Sequence, residues 1–194
     1  MTRREFNALS AGTLLSSLAC VESIAAVTTA PSDSPAALPW YRTIKRIGQT
    51  NFNEHDGDSQ NVEQWADYWA SAKVQAVALS VSGPVAFYPS KVPYFHRSPY
   101  LNGRDFFGEC VKAAKARGLR VYGRMSPDIL VQDPKLLADK PLWFRRDREG
   151  KLQSPAPDIA YSCQFSGNFS ELQPAILHEL NARYDIDGVY MNGW

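Results

Sequence analysis

The sequence is short of cysteine and histidine, has no run of like charge and no long apolar segment, and each shortage removes a class of protein. Three cysteines in 194 residues are too few for a disulfide-built scaffold, so the chain must fold around a hydrophobic core, as its length allows. The 21 Lys and Arg against 20 Asp and Glu leave a net charge of +1. Without a basic block there is no means of neutralising a phosphate backbone, which excludes nucleic acid as a partner. The longest weakly apolar stretch, Ala8 to Ala19, is 12 residues broken by serines, short of the roughly 20 that a membrane-crossing helix needs. A phosphate-binding loop is missing too: Gly48-Gln49-Thr50-Asn51 lacks the second glycine and the lysine that cradle phosphates. What is present, 44% hydrophobic and 12% aromatic residues, is the composition of one folded domain rather than of a disordered chain.

The first thirty residues read as an address. Thr2-Arg3-Arg4-Glu5-Phe6 precedes the mildly apolar run, and small residues follow up to Ala30, the order of regions in a signal peptide. Paired arginines with phenylalanine two places on resemble a twin-arginine export signal. That resemblance implies the twin-arginine export machinery as a partner, a periplasmic or secreted location in a bacterium, and no stable membrane span once the signal is cleaved. Residues 31–39, rich in Pro, Ser and Ala, form a linker, and 40–194 the folded domain. With the signal removed, Cys110 and Cys163 could form one disulfide, but Cys110 falls on the apolar face of a predicted helix, where a buried thiol is expected.

In the body, strands and helices alternate. Ile44 to Phe52 reads as a first strand, and Val62, Trp65, Ala66 and Trp69 recur at helical spacing. Val74 to Val81 is a second strand, continuously apolar as in a parallel sheet covered on both faces. Phe107, Cys110, Val111 and Ala114 mark a second helix stopped at Gly118, and Leu119 to Met125 a third strand. A third helix starts near Ser170, where Ser170 and Gln173 resemble a capping box and Pro174 fits only the first turn. Asp187-Gly188 leads into a fourth strand, Val189 to Asn192. The order β-α-β-α-β-α-β predicts an α/β fold of parallel strands, the N-terminal half of a (β/α)8 TIM-like barrel. A full barrel takes about 250 residues, so the expectation is a chain truncated after strand four. The links after strands two and three, roughly twenty and forty-four residues, far exceed the usual 2–6. Their excess lies beyond the carboxyl ends of the strands, where α/β folds put their binding loops.

Those loops hold the candidate site. After strand one come Asn51, Asn53 and His55, side chains that both donate and accept hydrogen bonds as sugar hydroxyls do. Asp56-Gly57 also suits a turn and Asp58 a helix cap. A metal held by His55, Asp56 and Asp58 matches no calcium loop, so neither metal nor organic cofactor is expected. The second loop offers aromatics for stacking on a pyranose, Tyr88 among them, with His96 for hydroxyls; the same aromatics would also serve as the loop's own small core. At the end of strand three, Arg124 is costly to bury unpaired and is expected to hold a carboxylate, while Asp128, just past the strand, is placed for acid, base or nucleophile work and equally for a turn after Pro127.

Val77-Ala78-Leu79-Ser80, Phe87-Tyr88-Pro89-Ser90, Tyr100-Leu101-Asn102-Gly103-Arg104-Asp105, Gly118 to Asp128 and Tyr184 to Tyr190, taken in this order, resemble the hypothetical glycosyl hydrolase family allied to α-amylase-type and β-galactosidase-type barrels. The resemblance implies a TIM-like barrel and acid/base-assisted hydrolysis of glycosidic bonds in a full-length parent, with Asp128 and Arg124 at the polar centre and Asn51, Asn53, His55, Tyr88, His96 and Asn192 on a carbohydrate substrate. Such barrels carry a carboxylate at the end of strand four, where this chain has Asn192, which cannot act as acid or nucleophile. Cleavage takes two carboxyl groups. The alternative is therefore a non-catalytic carbohydrate-binding pseudoenzyme or inactive fragment.

Overall fold

The computed structural model describes residues 38–193. The expected signal peptide and most of the linker lie outside the described residues. In chain order the elements are α1 (Trp40–Thr43), β1 (Ile47–Gln49), α2 (Asp56–Ser59), α3 (Val62–Ser71), β2 (Ala76–Ser80), α4 (Phe106–Ala116), β3 (Arg120–Met125), β4 (Ile129–Val131), α5 (Pro134–Asp139), β5 (Ile159–Tyr161), α6 (Gln173–Arg183) and β6 (Gly188–Met191). The main sheet is parallel and runs β1-β2-β3-β6. Each strand thus lies beside the next one laid down, without the reversal of order that marks a doubly wound nucleotide-binding sheet.

Helices cover one face of the sheet. A Cβ on Gly48 would meet the Trp69 ring of α3 at 3.3 Å, and Trp69, Val77, Leu79, Val121, Val111, Ile176 and Leu180 share one buried cluster. β2 is buried at all five positions, as its unbroken Val-Ala-Leu character predicts for a central parallel strand. Helix ends follow local chemistry. Asn61 caps α3 by accepting from Gln64 N–H, and Asp105 caps α4 by accepting from Gly108 N–H. Gly118, with φ +72°, ends α4 while the Leu119 and Gly118 amides return to Ala114 and Lys115 carbonyls. Cys110 is a free thiol buried on α4, and burial pushes its pKa up to about 12.

Three expectations need correction. Asp58 does not cap the first long helix; Asn61 does, and Asp58 instead accepts from Asn102 Nδ2. Ser170 and Gln173 form no capping box, because a π-turn over Asn168–Leu172 runs straight into α6 and leaves no extended cap residue; Pro174 does fall in the first turn of the helix. The long link after β3 is not bare loop. Its β4 and β5 pair antiparallel, and Leu130, Leu136, Trp143, Phe144 and Ala160 join the main core.

Candidate functional site

Because the strands are parallel, all four carboxyl ends open on one edge. On the face turned away from the helices, Gln49, Ala78, Tyr122 and Gly188 form one row, and Ser80, Arg124 and Tyr190 the row nearer the rim. The loops above them are tied together. Ser98 Oγ donates to Glu54 O (2.7 Å) and Arg104 Nη1 to Gly57 O (2.9 Å), joining the loop after β1 to that after β2. Tyr94 Oη donates to Asp139 Oδ2 (2.7 Å), joining the second loop to the third. The oversized segments therefore make one continuous rim.

Asp128 sits where β3 and β6 end side by side. The Asn192 amide donates to Met125 O (2.8 Å), and any side chain on Gly193 would overlap the Asp128 carboxylate. Glycine is required at 193 on a second count, its φ of +91°. Behind Asp128 the turn is fixed from beneath: Pro127 O accepts from Ser162 Oγ (2.7 Å) and Asn168 Nδ2 (2.8 Å), and Gln173 Nε2 donates to Asn168 Oδ1 (3.1 Å). Ser162 N–H also donates to Asp128 O (2.7 Å). Ser162 and Asn168 are fully buried, so this network orders the backbone that carries the carboxylate, while the carboxylate itself pairs with no described side chain. Sequence reasoning missed Asn168 and the part of Gln173 in this network; a cluster of small polar residues ahead of an apolar helix was the available signal.

The other candidates divide. Asn51 is exposed beside β1 and accepts from Gln49 Nε2 (3.1 Å), and Asn192 stands next to Gly193. Asn53 and His55 are exposed in the β1 loop; the Asn53 amide donates to Asp56 Oδ2 (2.6 Å), and the His55 ring lies 3.8 Å from that of Tyr100. In the same loop Glu54, passed over in the sequence, has a carboxylate with no side-chain partner among the described residues. One candidate turns inward and is corrected. Tyr88 has no solvent exposure and donates to Glu179 Oε2 (2.9 Å) on α6, so it is a core residue that cannot touch a sugar; burial first, and then the bonded Glu179, push its phenol up. His96 keeps a side chain 38% exposed, with its Nε2 3.2 Å from Asp133 Oδ2 near the start of α5 but without a hydrogen bond. Arg124 also departs from expectation. It forms no ion pair among the described residues, and its Nε is buried without a partner. No group of three or more His, Cys, Asp or Glu among the described residues is arranged to hold a metal ion, and no helix there is long and apolar enough to cross a membrane.

Parallel strands laid down in sequence, with helices outside and polar loops gathered at the carboxyl rim, define a chain of the TIM-barrel-like α/β class. Residues 61–193 match the family described as Hypothetical glycosyl hydrolase 6, and the chain belongs to that family. Two solved structures share the fold. Alpha-L-fucosidase isoenzyme 2 from Paenibacillus thiaminolyticus is 21% identical with a TM-score of 0.60, over 76% of this chain and 23% of that one. A noncanonic maltogenic alpha-amylase, AmyB from Thermotoga neapolitana, is 19% identical with a TM-score of 0.53, over 75% and 38%. The chain thus spans well under half the length of either. Among curated proteins none matches it.

Proposed function

We propose that this domain is the saccharide-recognising half of an exported glycoside hydrolase-like protein, carried by a twin-arginine signal to the periplasm or beyond. The observation that carries the reading is Asp128: a carboxylate at the meeting point of two strand ends, on a backbone fixed by buried hydrogen bonds, yet free of any described partner, in a chain of a glycosyl hydrolase family. Rigid support beneath an uncommitted acid is the arrangement that binding and acid/base work call for. Asn192 at the end of β6, and Asn51 beyond β1 two strands away, bring carboxamides suited to hydroxyls, and Asn53 and His55 extend the surface outward.

Hydrolysis takes two carboxyl groups, about 5–5.5 Å apart for retention or about 6.5–9.5 Å for inversion. With Asn192 at the end of β6, the described strands supply Asp128 alone at a strand end, so this chain by itself binds saccharide without cleaving it. In a protein with further strands Asp128 would work with a carboxylate placed there. The pseudoenzyme reading rests on the same Asn192. Incubation with a panel of aryl glycosides, alongside NMR titration with neutral oligosaccharides, tests both points. Shift changes clustered on Asn51, Asp128 and Asn192 without turnover are expected. Turnover that Asp128→Asn abolishes would overturn the binding-only reading, and shifts confined elsewhere would overturn the site.

A further inference from the structure

On the inner face of the sheet Arg120 meets Asp187, whereas Arg124, four residues on in the same strand and on the same side, meets no carboxylate among the described residues and keeps a buried, unbonded Nε. A guanidinium is a permanent cation; Arg124 is half-buried, and an anion would compensate the part of it hidden from water. Asp128, four residues on, does not neutralise it; its carboxylate is turned against Gly193. One edge of the sheet therefore presents a cation and an anion that leave each other alone, which suits a ligand carrying both a negative group and hydroxyls.

Building on the saccharide reading, we propose that Arg124 receives the carboxylate of an acidic sugar, so that the ligand class is uronic-acid-containing saccharides. The planar guanidinium fork matches a carboxylate through two parallel hydrogen bonds, a geometry that neutral hydroxyls do not reproduce. Register places Ser80 and Tyr190 on either side of Arg124. The Ser80 hydroxyl is already given to Thr50 O (2.9 Å), so it does not compete for the anion, and the half-exposed Tyr190 ring supplies an apolar wall for a pyranose. Asp128 is left to accept from sugar hydroxyls at the rim.

The test is calorimetric titration of the intact chain with galacturonate and glucuronate trimers against the neutral galactose and glucose trimers at one ionic strength. A uronate preference of about tenfold is expected, the contribution of a charge-assisted pair. In Arg124→Gln the ratio of uronate to neutral affinity should fall below about twofold, and in Arg124→Lys, which keeps the charge but loses the fork, it should fall between. Equal affinity for acidic and neutral trimers in the wild-type chain overturns this inference and leaves the saccharide reading standing, a result that needs no variant to fold. Binding of neither trimer overturns both. A uronate preference that survives Arg124→Gln places the anion elsewhere and overturns the assignment to this residue.

Discussion

At the amino ends of the strands Asp187 accepts from Lys115 Nζ (2.7 Å), Arg120 Nη1 (2.7 Å) and the Val121 amide (2.8 Å), and Gln75 Oε1 gathers the Lys45 and Arg46 amides. At the carboxyl ends of the same strands, Arg124 and Asp128 have no such partners. Burial alone would raise the Asp187 carboxyl, but the bonds from Lys115, Val121 and Arg120 outweigh it and hold the group below the ordinary aspartate range. Satisfied charge at one end holds strands in register; at the other, half-buried charge is left to solvent or to a ligand. The contrast separates what stabilises this fold from what it is for.

The strongest challenge to that contrast is Asp187→Asn. Removing one member of a buried ionic cluster leaves Lys115 and Arg120 facing a neutral group, and a loss of about 3 kcal/mol is expected, read as a lower urea midpoint with saccharide affinity unchanged. The same change should flatten the acid limb of stability. The folded-state pKa of Asp187 lies below its unfolded value, so its contribution is complete above the ordinary aspartate range and is lost as pH falls through the lowered value. If the acid limb is as steep in the variant as in the parent, the amino-end cluster is not what holds the sheet. Next comes Gly193→Ala, which combines positive φ with overlap on Asp128; a loss of about 2 kcal/mol is expected, here with weakened saccharide binding, because the carboxylate must move. Tyr88→Phe leaves Glu179 with its Ser90, Lys91 and Arg183 partners and should cost about 1 kcal/mol with no change in binding, marking the tyrosine as structural. The smallest effect on stability belongs to Asp128→Asn, within about 0.5 kcal/mol, yet its saccharide affinity should drop; a large loss of stability would show that Asp128 belongs with Asp187.

Much of the fold was legible because it rests on local, periodic signals. The apolar run of β2, the spacing of Trp65, Ala66 and Trp69, and the Gly118 stop each describe a short segment in its own terms. The rim that carries the proposed site was legible in position and less so in detail. Parallel strands dictate that the long links share one rim, so Asp128 and Asn192 could be placed there from order alone. Which side chains on that rim face outward is a matter of tertiary packing. Tyr88 looks as suited to a sugar as Asn53 does, and only the docking of α6 against the second loop shows that its hydroxyl is spent on Glu179. The expected partner of Arg124 failed for a related reason: sequence identifies a charge that must be compensated but not whether the protein or its ligand compensates it. β4 and β5, three residues each, were too short to register as a pattern.

The link from β3 to α6 places Leu130, Leu136, Trp143, Phe144 and Ala160 in the same core as the sheet, so it cannot swing as a lid without unfolding part of the interior. The proposed ligand would therefore meet a preformed rim and lose little ordering entropy on association. Evolutionary insertion into this link is best tolerated at the exposed Asp147–Gly150 turn, whose own backbone bonds close it off from the interior. Length can vary at that tip while the core beneath it stays unchanged.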